Sequence, residues 1–485
     1  MAFVRSGRVA GGPAAGNAFI VVVLLVGAAF GLLSGGSSLS FTYAAGAFAA
    51  VVLFGLAFVR TDFGIYVVIF SMLLSPEFGG SGGSGGLAEN RGVTLRTEDF
   101  VLIFVGLSWL AKTAVNKELG IVARTPLNRP ILFYVFATAI ATLVGVLSGT
   151  VGVSGFFYVL KYVEYFFVYY MVVNNLRDRP HAWRMVVAAF MTAAIVSMVA
   201  LAQVPAGGRV SAPFEGEVGE PNTFGGYLLF MMALAAGIAL ETVRLKVRVW
   251  SLAVLGCMTI PFALTLSRAS YLGVIPAFLV FVMLTSKRRF MVGLLLLGVV
   301  CSPIALAVAP ESVKSRVAYT FQPEAGQPTV RLGRVGLDPS TSARLISVQQ
   351  AIEGWMKKPF LGYGVTGLGF MDAQYARVLV ETGVLGFATF LWLLWTVLKS
   401  SVGALRSRHD PEERGLALGF LAGYVGLLVH GLGSNTFIIV RIMEPFWLIA
   451  GIVMMIPALE ADEVRKAAEP KKVVPPALRG ARLRV

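Results

Sequence analysis

Apolar runs of about 20 residues recur along this chain, and each is long enough to cross a ~30 Å hydrocarbon layer as a helix. Inside such a layer the backbone must satisfy its own hydrogen bonds, so only helices and closed barrels span it. Barrel strands are about ten residues long and alternate in polarity; these runs do neither. The 485-residue chain is 56% apolar and 14% charged, with mean hydropathy +0.77. Soluble domains are nearer a quarter charged. The pattern predicts an all-α polytopic membrane protein, a bundle of about 14 transmembrane helices with a large loop containing short helices on one side. The expected spans are 17–36, 38–58, 61–75, 98–115, 130–147, 154–173, 184–203, 222–240, 249–266, 269–285, 290–308, 376–398, 415–430 and 435–458. The first run lacks a small-residue cleavage site and is followed at once by another, so it reads as a span and not a removable leader. The chain divides into an N-terminal transmembrane region (1–308, about 11 helices), a loop (309–375), C-terminal transmembrane helices (376–458) and a disordered basic tail (459–485).

A net charge of +15 would suggest nucleic acid in a soluble protein. Here the basic residues sit in short loops between apolar runs, so topology explains them and no nucleic-acid partner is expected. With the N-terminus inside, the inner loops hold Arg60, the Lys112–Arg129 cluster, Arg177 to Arg184, Arg244 to Arg248, Lys287 to Arg289 and Lys399 to Arg414. The outer short loops hold only Arg91, Arg96, Arg209 and Arg268. Both termini are therefore expected to be cytoplasmic. Cys257 and Cys301 lie in apolar stretches and read as buried thiols. Neither an outer acidic cluster nor a phosphate-binding glycine loop is found, so no metal and no cofactor is expected.

The outer face concentrates the residues that could do chemistry. Arg268, in TLSRASYLG, is either a snorkelling helix-end arginine or an anion contact, since a guanidinium fork suits phosphate. Arg209, in the 204–221 loop, is either a solvated loop charge or a second such contact. Asn222 caps the following helix or makes a polar contact in the bundle. Leu345, Val348, Ile352 and Trp355 follow a helical period, and Arg344 opens that helix. Pro359 ends it, and Gly362, Gly364, Gly367 and Gly369 form a turn into the next apolar run, with Glu381 near its start. His430, at the outer end of 415–430, can be base, acid or phosphate contact; Glu381 can pair with an arginine or act as the base. His181 and His409 fall in inner loops. A cationic outer pocket at the hydrocarbon boundary suits a substrate with a lipid tail and a phosphate head.

Four stretches, in order, resemble the O-antigen ligase and O-antigen polymerase superfamily: GRVSAPFEGEVGEPNTFGGYLL, TLSRASYLG, RLISVQQAIEGWMKKPFLGYGVTGLG and YARVLVETGVLGFATFLWLL. The resemblance covers about Arg209 to Leu398, and His430 looks like the family's periplasmic histidine. It implies a bacterial inner-membrane, metal-independent, inverting glycosyltransferase with a periplasm-facing site. The donor would be a glycan on undecaprenyl pyrophosphate, and the acceptor a sugar hydroxyl on lipid A-core or on another lipid-linked repeat. It further implies that Arg268, Arg209 and Arg344 hold the pyrophosphate, that His430 or Glu381 activates the acceptor, and that Asn222, Gly362 and Gly364 have structural or substrate-contact roles. Other polysaccharide-assembly membrane proteins would be possible partners. The expected helix count exceeds that common in ligases and fits an exopolysaccharide polymerase at least as well. A transporter (flippase) of lipid-linked glycan or another anionic solute is the alternative. It expects matched halves with interrupted helices, and no such repeat stands out.

Overall fold

The computed structural model describes residues 41–78, 95–115, 123–206, 208–214, 219–308, 314–315, 318–319, 329–332, 335–369, 371–407 and 410–468. Its helices are α1 (Phe41–Val59), α2 (Thr61–Leu74), α3 (Thr97–Val115), α4 (Asn128–Leu147), α5 (Gly155–Asn175), α6 (Arg179–Leu201) and α7 (Pro221–Glu241). They continue as α8 (Leu245–Leu264), α9 (Arg268–Leu284), α10 (Arg288–Val308), α11 (Pro339–Lys357), α12 (Gln374–Arg406), α13 (Pro411–His430) and α14 (Val440–Ala468). Two short antiparallel ladders, Glu77–Phe78 with Leu95–Arg96 and Arg331–Leu332 with Val335–Gly336, close loops. The expected span at 17–36, His409 and the tail beyond Ala468 lie outside the described residues.

The expectation of about 14 spans does not hold. Among the described residues seven helices are long and apolar enough to cross a membrane: α4, α5, α6, α7, α8, α12 and α14. They make this a multi-pass membrane protein. Length or charge counts against three of the others. The 14 residues of α2 reach about 21 Å at ~1.5 Å per residue, short of a ~30 Å core. Helix α3 carries Glu98, Asp99 and Lys112. Helix α13 places Glu412, Glu413 and Arg414 in its first turn, leaving an uncharged stretch only from Gly415 to Val429. An apolar run in the sequence is thus necessary for a span and not sufficient.

Several helices start where local chemistry dictates. Asp178, Asp338 and Asp410 each accept hydrogen bonds from the first-turn amides of α6, α11 and α13, and a proline fills the first turn that follows. Helix α7 is the buried centre, with 83% of its apolar window covered, whereas α8 is peripheral at 28%. Close approach makes the centre. Gly415, Gly419 and Gly423 repeat every fourth residue along α13, and α7 lies against them; a Cβ at Gly237 would stand 2.3 Å from the Gly415 carbonyl oxygen. Gly273 of α9 meets Gly426 in the same way. Small residues at this spacing let backbones pack where lipid offers no hydrophobic drive.

Helix α12 is two pieces joined at Gly383 (φ 62°, ψ −170°). The break frees backbone groups that cannot stay unpaired at membrane depth. The Pro359–Gly364 turn takes them. The amides of Tyr363 and Gly364 donate to the carbonyls of Val380 (3.0 Å) and Glu381 (2.8 Å), and the Val384 amide donates to the Pro359 carbonyl (2.8 Å). Gly362 (φ 66°) and Gly364 (φ 85°) adopt left-handed backbone there. The same turn wedges against Gly145 of α4, and just beyond that helix Thr150 donates to the Tyr363 carbonyl (2.9 Å).

Candidate functional site

The segment between α8 and α9 makes one sharp corner. Leu266 has positive φ, and Ser267 caps α9 by accepting from the Ser270 amide. This places Arg268 at the first position of α9, while Ser267 and Ser270, both buried, pack against Gly225 at the start of α7. Arg209 reaches the same corner from the preceding loop. Its Nε donates to the Thr265 carbonyl (2.9 Å) and its guanidinium to Asn222 Oδ1 (3.1 Å). Asn222 therefore orients Arg209, a role between the two readings its position allows.

Arg268 is held by Asp338 in a two-pronged ion pair, with N–O distances of 2.8 and 2.9 Å. Asp338 has no exposed surface and is also the cap of α11, accepting from the amides of Ser340 and Thr341 and from the Thr341 hydroxyl. Burial alone would push its carboxyl up. The bonds from Arg268 and Thr341 outweigh that and hold its pKa down at about 2. Helix α11 is thereby fastened to α9, and it brings Arg344 with it. Arg344 donates to Ser340 Oγ (2.9 Å) and to Asp372 (3.1 Å) and acts electrostatically on His430; its Nε, buried, has no hydrogen-bond partner.

His430 is fully buried at the end of α13. Its Nδ1 shares a hydrogen bond with Thr436 Oγ1 (2.6 Å), and its other ring nitrogen faces the α7 backbone, 3.2 Å from where a Cβ on Gly226 would stand. Around it, buried Gln374 Nε2 and Asn435 Oδ1 have no hydrogen-bond partner, although the opposite ends of both amides are engaged with Phe437 N–H and the Met371 carbonyl. At this end of α7, α9, α11 and α13, Arg209 meets Asn222 directly, Arg268 is linked to Arg344 through Asp338 and Ser340, and Arg344 acts on His430.

Glu381 is placed differently. It lies beneath the glycine turn, where its Oε1 accepts from Arg377 Nε (2.9 Å) and the Thr366 amide (2.8 Å) in a pair that is almost wholly buried. Gly362 and Gly364 belong to this same structural wedge. Asp338 is the site residue that reading the sequence missed, and the signal was present: an aspartate directly before proline and a run of small polar residues is a helix-start signature. The Arg377–Glu381 pair was likewise readable as an i,i+4 spacing.

The anion-binding logic is visible in Asp338 itself. Its two carboxylate oxygens occupy the guanidinium fork as two phosphate oxygens would. Among the described residues no group of three or more His, Cys, Asp or Glu side chains could hold a metal ion.

Residues 252–391 match the family described as O-Antigen ligase, a stretch that contains Arg268, Asp338, Arg344 and Glu381. No curated protein matches the chain. A chain from a solved structure described as "Structural coordination of polymerization and crosslinking by a peptidoglycan synthase complex" aligns at 16% identity with TM-score 0.37, covering 66% of this chain and 96% of that one. A likeness that slight carries nothing about fold or function.

Proposed function

We propose that this protein transfers a glycan from a polyprenyl-pyrophosphate carrier to a sugar hydroxyl, as an inner-membrane enzyme whose site faces the periplasm. One observation carries the reading. Arginines 209, 268 and 344 and His430 meet at one bundle end, and the O-antigen-ligase-like segment contributes two of them together with Asp338. The scarcity of Lys and Arg in the short loops read as outer supports an outward-facing site.

In the proposed cycle the donor enters from the outer leaflet, its tail bordered by the exposed Ile352, Met356 and Phe360 along α11 and the turn after it. Its pyrophosphate displaces Asp338 from Arg268, helped by Arg344. Arg209 stands behind them, oriented by Asn222. The acceptor oxygen attacks the anomeric carbon as the bond to the pyrophosphate oxygen breaks, and His430 takes the hydroxyl proton. Arginine charge stabilises the leaving pyrophosphate as negative charge grows on it. His430 is preferred to Glu381 as the base because Arg377 and the Thr366 amide already engage the Glu381 carboxylate. Glu381 then serves to hold the glycine wedge.

The experiment is direct. Purified protein in proteoliposomes receives one polyprenyl-pyrophosphate glycan and either lipid A-core or a second lipid-linked repeat. Transfer to one acceptor is expected, and a ladder formed from repeats alone identifies a polymerase. Translocation of the donor without any glycosidic product would replace this reading with transport.

A further inference from the structure

Charge also gathers away from the arginine site, where α3, α5 and α14 meet. Glu98 and Asp99 lie in the first turn of α3, Lys161 and Glu164 lie well inside α5, and Arg441 and Glu444 stand on the first turns of α14. Lys161 bridges Asp99 and Glu164. Glu98 accepts from Ser75 Oγ (2.7 Å) and lies 3.5 Å from Arg96. Arg441 is fully buried and donates to the carbonyls of Ser75, Pro213 and Phe214.

Glu444 is the exception. It has no exposed surface, and neither carboxyl oxygen has a hydrogen-bond partner. Glu98, Glu164, Lys161 and Asp99 act on it, and Glu164 Oε1 also has no hydrogen-bond partner. The other helices packed on α14 bring no nearby compensation. Asp62 of α2, Arg179 of α6, Glu241 of α7 and Glu412 to Arg414 of α13 pair with one another or with loop residues at the far end. Arg377 of α12 is paired to Glu381, and His430 of α13 is packed on α7.

Four carboxyls (Glu98, Asp99, Glu164, Glu444) face three cations (Arg96, Lys161, Arg441), so full ionisation leaves one negative charge in excess. An uncompensated buried charge is heavily penalised, and intramembrane carboxyls that persist serve ions or protons. No described group of three or more ligands could hold a metal ion, and Lys161 already occupies the cationic position between two of the carboxylates.

We propose that this cluster is a proton-binding site in which Glu444 carries one exchangeable proton as a neutral carboxylic acid. On release the proton passes to water and a carboxylate remains. Arg441, three residues earlier on the same face of α14, is placed to neutralise it. That movement withdraws the guanidinium from the carbonyls of Pro213 and Phe214, in the loop that carries Arg209. Proton occupancy thereby bears on how the 209–214 loop is held.

Infrared titration of the full chain in lipid nanodiscs tests this. The un-ionised carboxylic C=O band is expected at neutral pH, to fall as pH rises, and to be lost in Glu444→Gln. Glu164→Gln removes the excess negative charge and is expected to move the midpoint to lower pH. Should Glu444→Gln fail to fold, the wild-type titration and the Glu164→Gln shift decide. The proposal is overturned if the wild type shows no such band at any pH, if the band survives in Glu444→Gln, or if the Glu164→Gln midpoint stays put. It is equally overturned if the band is absent and thermal stability depends on sodium against choline, since a metal cation then fills the deficit.

Discussion

The two ends of the helix bundle both bristle with charge and use it differently. At the end where α6 and α13 begin, pairs close on one another across helix termini. Arg179 pairs with Glu413, Arg244 with Glu412, Arg414 with Glu241 and Arg177 with Asp62. Glu241 also accepts from Thr285 and the Ser286 amide, so three chain turns are tied in one knot. At the other end Arg268 is held by the cap of a helix outside the bundle, and around His430 polar atoms of Arg344, Gln374 and Asn435 have no hydrogen-bond partner. Both ends hold buried polar atoms without a hydrogen-bond partner, Asp62 Oδ1, Arg248 Nε and the His181 ring nitrogens at the first, Arg344 Nε, Gln374 Nε2 and Asn435 Oδ1 at the second. The difference lies in the pairing: carboxylates on the bundle helices fix the helix ends in place, whereas Arg268 is matched by a carboxylate on a helix outside the bundle.

That contrast can be broken by mutation. Arg268→Ala is expected to lower glycan transfer by ~10²–10³-fold per folded molecule, and to lower the thermal midpoint as well because buried Asp338 loses its ion-pair partner. Arg414→Ala at the far end should lower the midpoint and leave the rate per folded molecule unchanged. If both variants lose transfer equally, the two ends do not differ in the proposed way. Gly383→Ala is expected to cost about 3 kcal/mol, since left-handed backbone and a Cβ 2.3 Å from the Phe360 carbonyl oxygen cannot both be relieved. Denaturant unfolding in detergent measures it.

A milder change sharpens the comparison. Glu413→Gln should cost about 1–3 kcal/mol by leaving Arg179 to weaker partners, with KM for the donor unaltered. The smallest effect is expected for Asp338→Asn, which keeps the cap but weakens the hold on Arg268. Donor KM should fall several-fold, because the pyrophosphate no longer competes with a carboxylate; an increase would end the displacement idea. The pH dependence follows from the same pair. Asp338 is depressed from 3.8 to about 2. Its contribution is fully present above the unfolded value and lost as pH falls through the folded one. Hydrogen exchange along α11 should therefore quicken only as pH drops from about 4 toward about 2.

Part of the candidate site was legible in the sequence. Arg209, Arg268, Arg344 and His430 stood out as polar residues at apolar boundaries, and the fold gathers them at one end of α7, α9, α11 and α13. The sequence did not assign their partners. Asp338 lies 70 residues from Arg268, and only folding brings an ordinary helix cap onto that guanidinium. Glu381 stood out for the same reason as His430, yet its neighbours tie it to backbone repair at Gly383. Arg441 and Glu444 were visible as charges in an apolar run and were passed over, although such residues are expensive enough to need a reason.

The sequence alone determined that the chain is helical and membrane-embedded, because repeated long apolar stretches leave the backbone no other way to satisfy itself. Only the tertiary structure decided how many of those stretches qualify as spans, because Glu412, Glu413 and Arg414, read as loop-side charge, occupy the first turn of a helix and leave it too little apolar length. It alone decided that the glycine turn mends a broken helix, since hydrogen-bond partners across chain separations leave no local mark. And it alone paired Arg268 with Asp338, because electrostatic partnership depends on distance in space and not along the chain.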